Sequence, residues 1–143
     1  MKTVLMVCVG NICRSPMAQA LLASACPGLQ VISAGVGALS GRPADLTAQE
    51  LMARRNIDIS AHRAQQINSA LAQQADLILV MDQEQRRYVR DSYPFASGKV
   101  FRLGEFSKME IPDPYTKPRE AFERSLSMIS LSLDAWINRI NAL

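Results

Sequence analysis

The chain is poor in the residues that hold metals or staple small secreted folds. It has one histidine, His62, and three cysteines, Cys8, Cys13 and Cys26. An odd cysteine count does not suit a disulfide framework. Cys8 and Cys13 are separated by four residues, but no second cysteine pair follows, so no metal or cofactor is expected. No apolar run approaches the roughly 20 residues that cross a bilayer, so membrane insertion is not expected. The apolar opening Met1–Val9 is short and runs into Gly10-Asn11 and Arg14 without a cleavage-like site. It reads as a first strand rather than an export signal, which puts the expected location in the cytoplasm. Gly-x4-Gly-Lys-Ser/Thr is absent, which excludes a nucleotide P-loop. Internal repeats, low-complexity segments and linkers are also missing, and 143 residues suit one hydrophobic core, so a single domain is expected over 1–143.

What is there is ordinary for a globular protein: 48% apolar and 20% charged residues. A net charge of +3 mildly favours anionic partners. Arg86, Arg87 and Arg90 form the one local basic cluster, and a solvated helix face accounts for them without nucleic acid.

Short apolar runs alternate with amphipathic stretches. Thr3–Val9 reads as a strand buried on both faces. Ser15-Pro16 reads as a helix start, with serine capping and proline in the first turn, and the helix ends before Pro27-Gly28. Leu29–Ser33 is a second strand, followed by a flexible Ala34-Gly35-Val36-Gly37. Pro43 to about Arg55 is a second helix with Leu46, Leu51 and Met52 inward. Asp76–Met81 and Lys99–Leu103 are further strands, with a helix over Gln83–Val89 between them. Phe122, Leu126, Ile129, Leu133, Trp136 and Ile140 form one apolar stripe of a last helix. The alternation predicts an α/β sandwich with a mostly parallel sheet, in which ligands sit beyond the carboxyl ends of the strands. The first strand ends at Cys8.

Cys8-Val9-Gly10-Asn11-Ile12-Cys13-Arg14-Ser15 lies between that strand and the first helix. A phosphate ester dianion needs backbone amides around its oxygens, which a tight turn entering a helix N-terminus supplies. Gly10 permits unusual backbone angles, and Asn11 tolerates the left-handed region. A phosphoryl group also needs a planar bidentate cation, which arginine provides and lysine does not. Thiols near helix N-termini and cations ionise at neutral pH, so Cys8 is the candidate nucleophile and Ser15 a hydroxyl donor to its sulfur. Cys13 is not needed as a second nucleophile, but is available for a reversible disulfide with Cys8.

A second loop, Ile111-Pro112-Asp113-Pro114-Tyr115, holds one carboxyl between two prolines. An aspartic acid on a rigid loop can protonate a departing tyrosyl oxygen, with Tyr115 beside the substrate ring.

These residues resemble the low-molecular-weight protein tyrosine phosphatase family. Besides the two loops, Ser33-Ala34-Gly35 and His62-Arg63-Ala64 fall in the family's order and separation across nearly the whole chain. The likeness is greatest to bacterial members that partner tyrosine autokinases in capsule or exopolysaccharide export. The resemblance implies a three-layer fold of the phosphatase I type, with a central four-stranded parallel sheet in the order 2-1-3-4. It implies a phosphocysteine at Cys8, Arg14 on the phosphoryl oxygens, and Asp113 as acid and then base. It further implies Ser15 easing loss of the thiolate, Asn11 holding the loop, and Ser33 and His62 supporting Asn11. Val9, Ile12, Leu39 and Tyr115 would form the rim, with Gly10 and Cys13 also in the phosphate loop. The implied partner is a phosphotyrosine protein, for such bacterial members an autokinase, and the implied state is a monomer or weak dimer. Thr116 follows Tyr115 where eukaryotic relatives have a second tyrosine, and Leu39 is not aromatic.

Three alternatives stand beside this reading. A thioredoxin-coupled arsenate reductase needs two further cysteines to relay a disulfide, and Asp82–Arg90 contains none. A sugar-transport phosphocarrier leaves Arg14 and Asp113 without purpose. A phosphotyrosine-binding module without turnover would lack either the nucleophile or the acid.

Overall fold

β-Branched and long aliphatic side chains make Thr3–Cys8 a strand (β1), and all six of its residues are buried. A computed structural model describes residues 1–143. After β1 come α1 (Arg14–Ala25), β2 (Gln30–Gly35), α2 (Leu46–Ala53), α3 (Ser69–Gln74), β3 (Leu77–Val80) and α4 (Gln83–Ser92). A 3₁₀ segment (Pro94–Lys99), β4 (Val100–Arg102) and α5 (Arg119–Asn141) complete the chain. The four strands form one parallel sheet in the order β2-β1-β3-β4. The expected fold class and strand order are therefore those observed.

Alternation along the strands divides the interior into two layers. Val4, Met6 and Cys8 of β1, with Leu77 and Leu79 of β3, face a core shared with α1, α2 and α5. Leu5, Val7, Ile78 and Val80 face the other side, where Ala72 of α3 and Val89 of α4 cover them. The α5 stripe is buried at Phe122, Leu126, Ile129, Leu133 and Trp136, and the Trp136 indole N–H donates to Leu103 O at 2.8 Å. No helix is long and apolar enough to cross a membrane.

Several boundaries differ from the sequence reading. The first helix begins at Arg14, and Cys13 precedes it without a side-chain cap. Ser15 is thus inside the helix, its hydroxyl turned to Cys8 and Asn11 instead of capping. Ala34 and Gly35 are not flexible: they complete β2, paired with Val7 and Cys8. The second helix starts at Leu46, because the Asp45 carboxylate accepts from Thr47 N at 2.9 Å and caps it there. That register leaves Leu46 74% exposed, contrary to its expected inward role, while Ala48, Leu51 and Met52 face the core. Short α3 and the 3₁₀ segment carry too little periodicity to be read from sequence. Arg86 is not simply solvated: it bonds Val100 O, pairs with Glu105 and lies over the Phe101 ring.

Candidate active site

β1 is an inner strand, so its carboxyl end opens between β2 and β3, and the loop that follows meets donors from several elements. Five successive carbonyls are drawn outward. Cys8 O accepts from Val36 N at 3.0 Å, Val9 O from Gly37 N at 3.0 Å and Gly10 O from Leu39 N at 3.0 Å. Asn11 O meets His62 Nε2 at 2.7 Å, and Ile12 O accepts from Asp45 N at 2.8 Å. In a planar trans peptide the N–H points opposite to the C=O. The amides of Val9, Gly10, Asn11, Ile12 and Cys13 therefore turn to the concave side, above the N-terminus of α1, and make an anion cradle.

Asn11 takes the left-handed region, with φ 60°. Gly10 does not, which corrects its expected role; a methyl group there would only touch Ile12 and Leu39 at 3.7 Å. The glycine that the loop requires is Gly35, where a Cβ would lie 2.3 Å from Val9 O. Asn11 is fully buried, accepting from Gln65 N at 2.9 Å and donating to Ser15 Oγ at 2.7 Å and Ser33 Oγ at 3.0 Å. Ser33 and His62 thus both contact Asn11.

Cys8 Sγ lies 2.9 Å from Ser15 Oγ. The Arg14 side chain is buried, and its Nη1 donates to Ile111 O at 2.8 Å. Two carboxylates flank the guanidinium: Asp82 at 3.8 Å and Asp113 at 3.7 Å. Asp113 is about half exposed, and its Oδ1 accepts from Tyr115 N at 3.1 Å. Its loop is pinned by Ser125 Oγ donating to Pro112 O at 2.7 Å and by Ile111 N donating to Met81 O at 3.0 Å.

A cavity of about 130 Å³ opens over these groups. Of the residues that line it, Cys8, Ile12, Cys13 and Arg14 are buried, Leu39 is half-buried, and Val9, Asp113 and Tyr115 are exposed. Burial pushes the Cys13 thiol far up, with Asp45 adding to the effect, so Cys13 stays protonated at neutral pH.

Of the site residues expected from the sequence, Cys8, Val9, Gly10, Ile12, Cys13, Arg14, Leu39, Asp113 and Tyr115 line the cavity, Ser15 hydrogen-bonds to Cys8, Asn11 to Ser15, and Ser33 and His62 to Asn11. Sequence reasoning missed Asp82, Gly35, Gly37, Gln65 and the Ile111 carbonyl. Asp82 follows β3, and the rule that ligands sit beyond strand ends was signal enough to find it. Gln65 acts through its backbone, for which residue type gives no signal.

Burial lowers the titration of His62 below its ordinary 6.5, outweighing the hydrogen bond to Asn11 O that raises it. The ring is thus neutral in the folded chain at pH 7, with its N–H on Nε2 because a carbonyl can only accept. Its contribution to stability is complete above the unfolded value and is lost as pH falls below it, since the unfolded chain takes the proton first. The melting temperature should drop more between about pH 7.5 and about pH 5.5 than that of His62→Gln. Parallel curves in thermal melts followed by circular dichroism would remove His62 as the cause.

Residues 3–143 match the family described as low molecular weight phosphotyrosine protein phosphatase. The chain is 58% identical over 142 residues to the probable low molecular weight protein-tyrosine-phosphatase EpsP of Ralstonia nicotianae, covering 99% of this chain and 98% of that one. Among solved structures, Vibrio vulnificus Wzb in complex with benzylphosphonate superposes with a TM-score of 0.93 at 38% identity, covering 96% of this chain and 98% of that one. The YwlE arginine phosphatase of Geobacillus stearothermophilus superposes with a TM-score of 0.93 at 30% identity, over 99% of this chain and 94% of that one. With a strand-end cysteine, an outward-carbonyl loop, a buried arginine and an exposed aspartate lining the cavity, all within a full-length match, the chain belongs to the low-molecular-weight phosphotyrosine protein phosphatase family.

Proposed function

We propose that this chain hydrolyses phosphotyrosine in proteins, with Cys8 as nucleophile, Arg14 as clamp and Asp113 as acid and base. The observation that carries the reading is the outward turn of the Cys8 to Ile12 carbonyls, which directs the loop amides at one point above the sulfur. Three phosphoryl oxygens fit such a bowl, and the Arg14 guanidinium closes it. Cys8 Sγ attacks phosphorus, the bond to the tyrosyl oxygen breaks, and Asp113 gives its proton to the departing phenolate. Water then attacks the phosphocysteine, Asp113 takes its proton, and the sulfur leaves as thiolate with inorganic phosphate. A phosphocysteine is general to the family.

Val9, Ile12, Leu39 and Tyr115 give the cavity apolar walls, which suit the ring of an aryl ester and have no counterpart in a phosphoseryl side chain. The arsenate reductase alternative is disfavoured because Cys26 lies at the far end of α1, beside Asn141, roughly 18 Å along the helix from Arg14. The binding-module alternative is disfavoured because nucleophile and acid share the cavity with the arginine. The 1–143 stretch acts as one domain, as a monomer or weak dimer in the cytoplasm, on a bacterial tyrosine autokinase of exopolysaccharide export. That substrate rests on the family resemblance, not on the cavity.

The test is steady-state release of phosphate from peptides carrying phosphotyrosine, phosphoserine or phosphoarginine. Turnover of the phosphotyrosyl peptide with neglect of phosphoserine is expected. Turnover of phosphoarginine alone would overturn the substrate assignment while leaving the cysteine chemistry in place. A phosphorylated autokinase left untouched by an enzyme active on peptides would overturn the partner assignment.

A further inference from the structure

The contact between Ser15 Oγ and Cys8 Sγ does not by itself say which atom donates. Two backbone groups farther away decide it. The amide of Gln65 can only donate, and it meets Asn11 Oδ1 at 2.9 Å. Asn11 therefore presents its Nδ2 to Ser15 Oγ and Ser33 Oγ. The carbonyl of Val31 can only accept, and Gln19 Nε2 meets it at 3.0 Å. Gln19 consequently presents Oε1 to Ser33 Oγ, 2.7 Å away, and Ser33 directs its single hydrogen there. A lone pair of Ser33 is then free for Asn11, and Ser15, already receiving an Asn11 N–H, points its own hydrogen at the sulfur.

We propose that Gln19, a residue of α1 anchored by the Val31 carbonyl, is a positioning residue that holds the Ser15 hydroxyl in the orientation that donates to Cys8. It touches no substrate and acts through Ser33 and Asn11. Asn11, Ser15 and Ser33 are all buried, so water cannot substitute for a missing partner at little cost. Without the Gln19 oxygen, the Ser33 hydrogen is satisfied within this network only by Asn11 Oδ1, which requires the Asn11 carboxamide to turn over. That turn sets Nδ2 against the Gln65 N–H and offers Ser15 an acceptor that competes with the sulfur. A hydrogen bond donated to a sulfur favours its charged form, so the direction of the chain bears on how readily Cys8 reacts. The inference rests on Cys8 being the nucleophile.

Two variants of similar length separate direction from packing: Gln19→Met removes the acceptor, and Gln19→Glu keeps it. The readouts are the pH profile of kcat/KM and the pH profile of Cys8 alkylation by iodoacetate, which needs no phosphatase activity. In Gln19→Met the acid limb of both profiles should move to higher pH. Alkylation near pH 6 and kcat should each fall by about three- to tenfold, with KM unchanged. Gln19→Glu keeps the acceptor but gives up the donor to Val31 O, and should shift both profiles clearly less than Gln19→Met. An unchanged alkylation profile in Gln19→Met, or an equal shift in both variants, would overturn the inference. If Gln19→Met does not fold, Gln19→Leu removes the same acceptor from Ser33 and must shift alkylation in the same direction. Wild-type protein alkylated rapidly at Cys8 but inert toward phosphotyrosyl peptides would sink the proposed function and leave this inference standing.

Discussion

Cys8→Ser should lose turnover by roughly 10⁴-fold or more while still binding inorganic phosphate. Binding and bond-breaking use different parts of the loop. Phosphate is held by the amides turned inward between Val9 and Cys13 and by the Arg14 guanidinium, none of which the substitution touches. The chemical step needs an ionised nucleophile, and a serine hydroxyl does not ionise near neutral pH. Ser15 at 2.9 Å can donate to either atom, so the replacement is accommodated without disturbing Asn11. Calorimetric titration with phosphate, run beside an assay with p-nitrophenyl phosphate, separates the two effects. Loss of both together would mean that the loop had collapsed; retained turnover would remove Cys8 as the nucleophile.

The effect of Asp113→Asn should depend on what leaves. For phenyl phosphate, whose leaving group needs a proton, a loss of about 10²- to 10⁴-fold is expected. For p-nitrophenyl phosphate, which departs readily as the anion, the loss in the first step should be far smaller. The substitution keeps the side chain's size and its acceptor toward Tyr115 N, so the turn survives. It removes one of the two carboxylates beside Arg14 and leaves the other, Asp82, together with the Ile111 carbonyl. Phosphate affinity should therefore hold or rise, because a negative charge near the cradle is gone. Rates are best compared across a series of aryl phosphates, in pre-steady state, so that phosphorylation of Cys8 is seen apart from its hydrolysis. Equal losses along that series would count against proton donation by Asp113.

Much of this was legible because the chemistry imposes local patterns. A strand that ends in cysteine, turns through Asn11 and enters a helix at an arginine serves several needs of a phosphoryl group within eight residues. The sheet was legible because β1 and β3 are short apolar runs with no polar face, as strands covered on both sides must be. What sequence missed lies at longer range or on the backbone. Gly10 looks like the loop's permissive residue, yet the close approach falls on Gly35, set by the β1–β2 register. Leu46 looks like a core residue until the Asp45 cap fixes which turn comes first. Asp82 and the Ile111 carbonyl reach Arg14 across 68 and 97 residues of chain, separations that carry no local periodicity.

Because the nucleophile ends an inner strand flanked on both edges, nothing short of pulling that strand from its neighbours can move the sulfur away from its amides. Fraying at the ends of the chain leaves the reaction centre intact. Inactivation by denaturant should accordingly follow the parting of β1 from β2 and β3 rather than the loosening of either terminus, so residual turnover would gauge how much of the sheet persists.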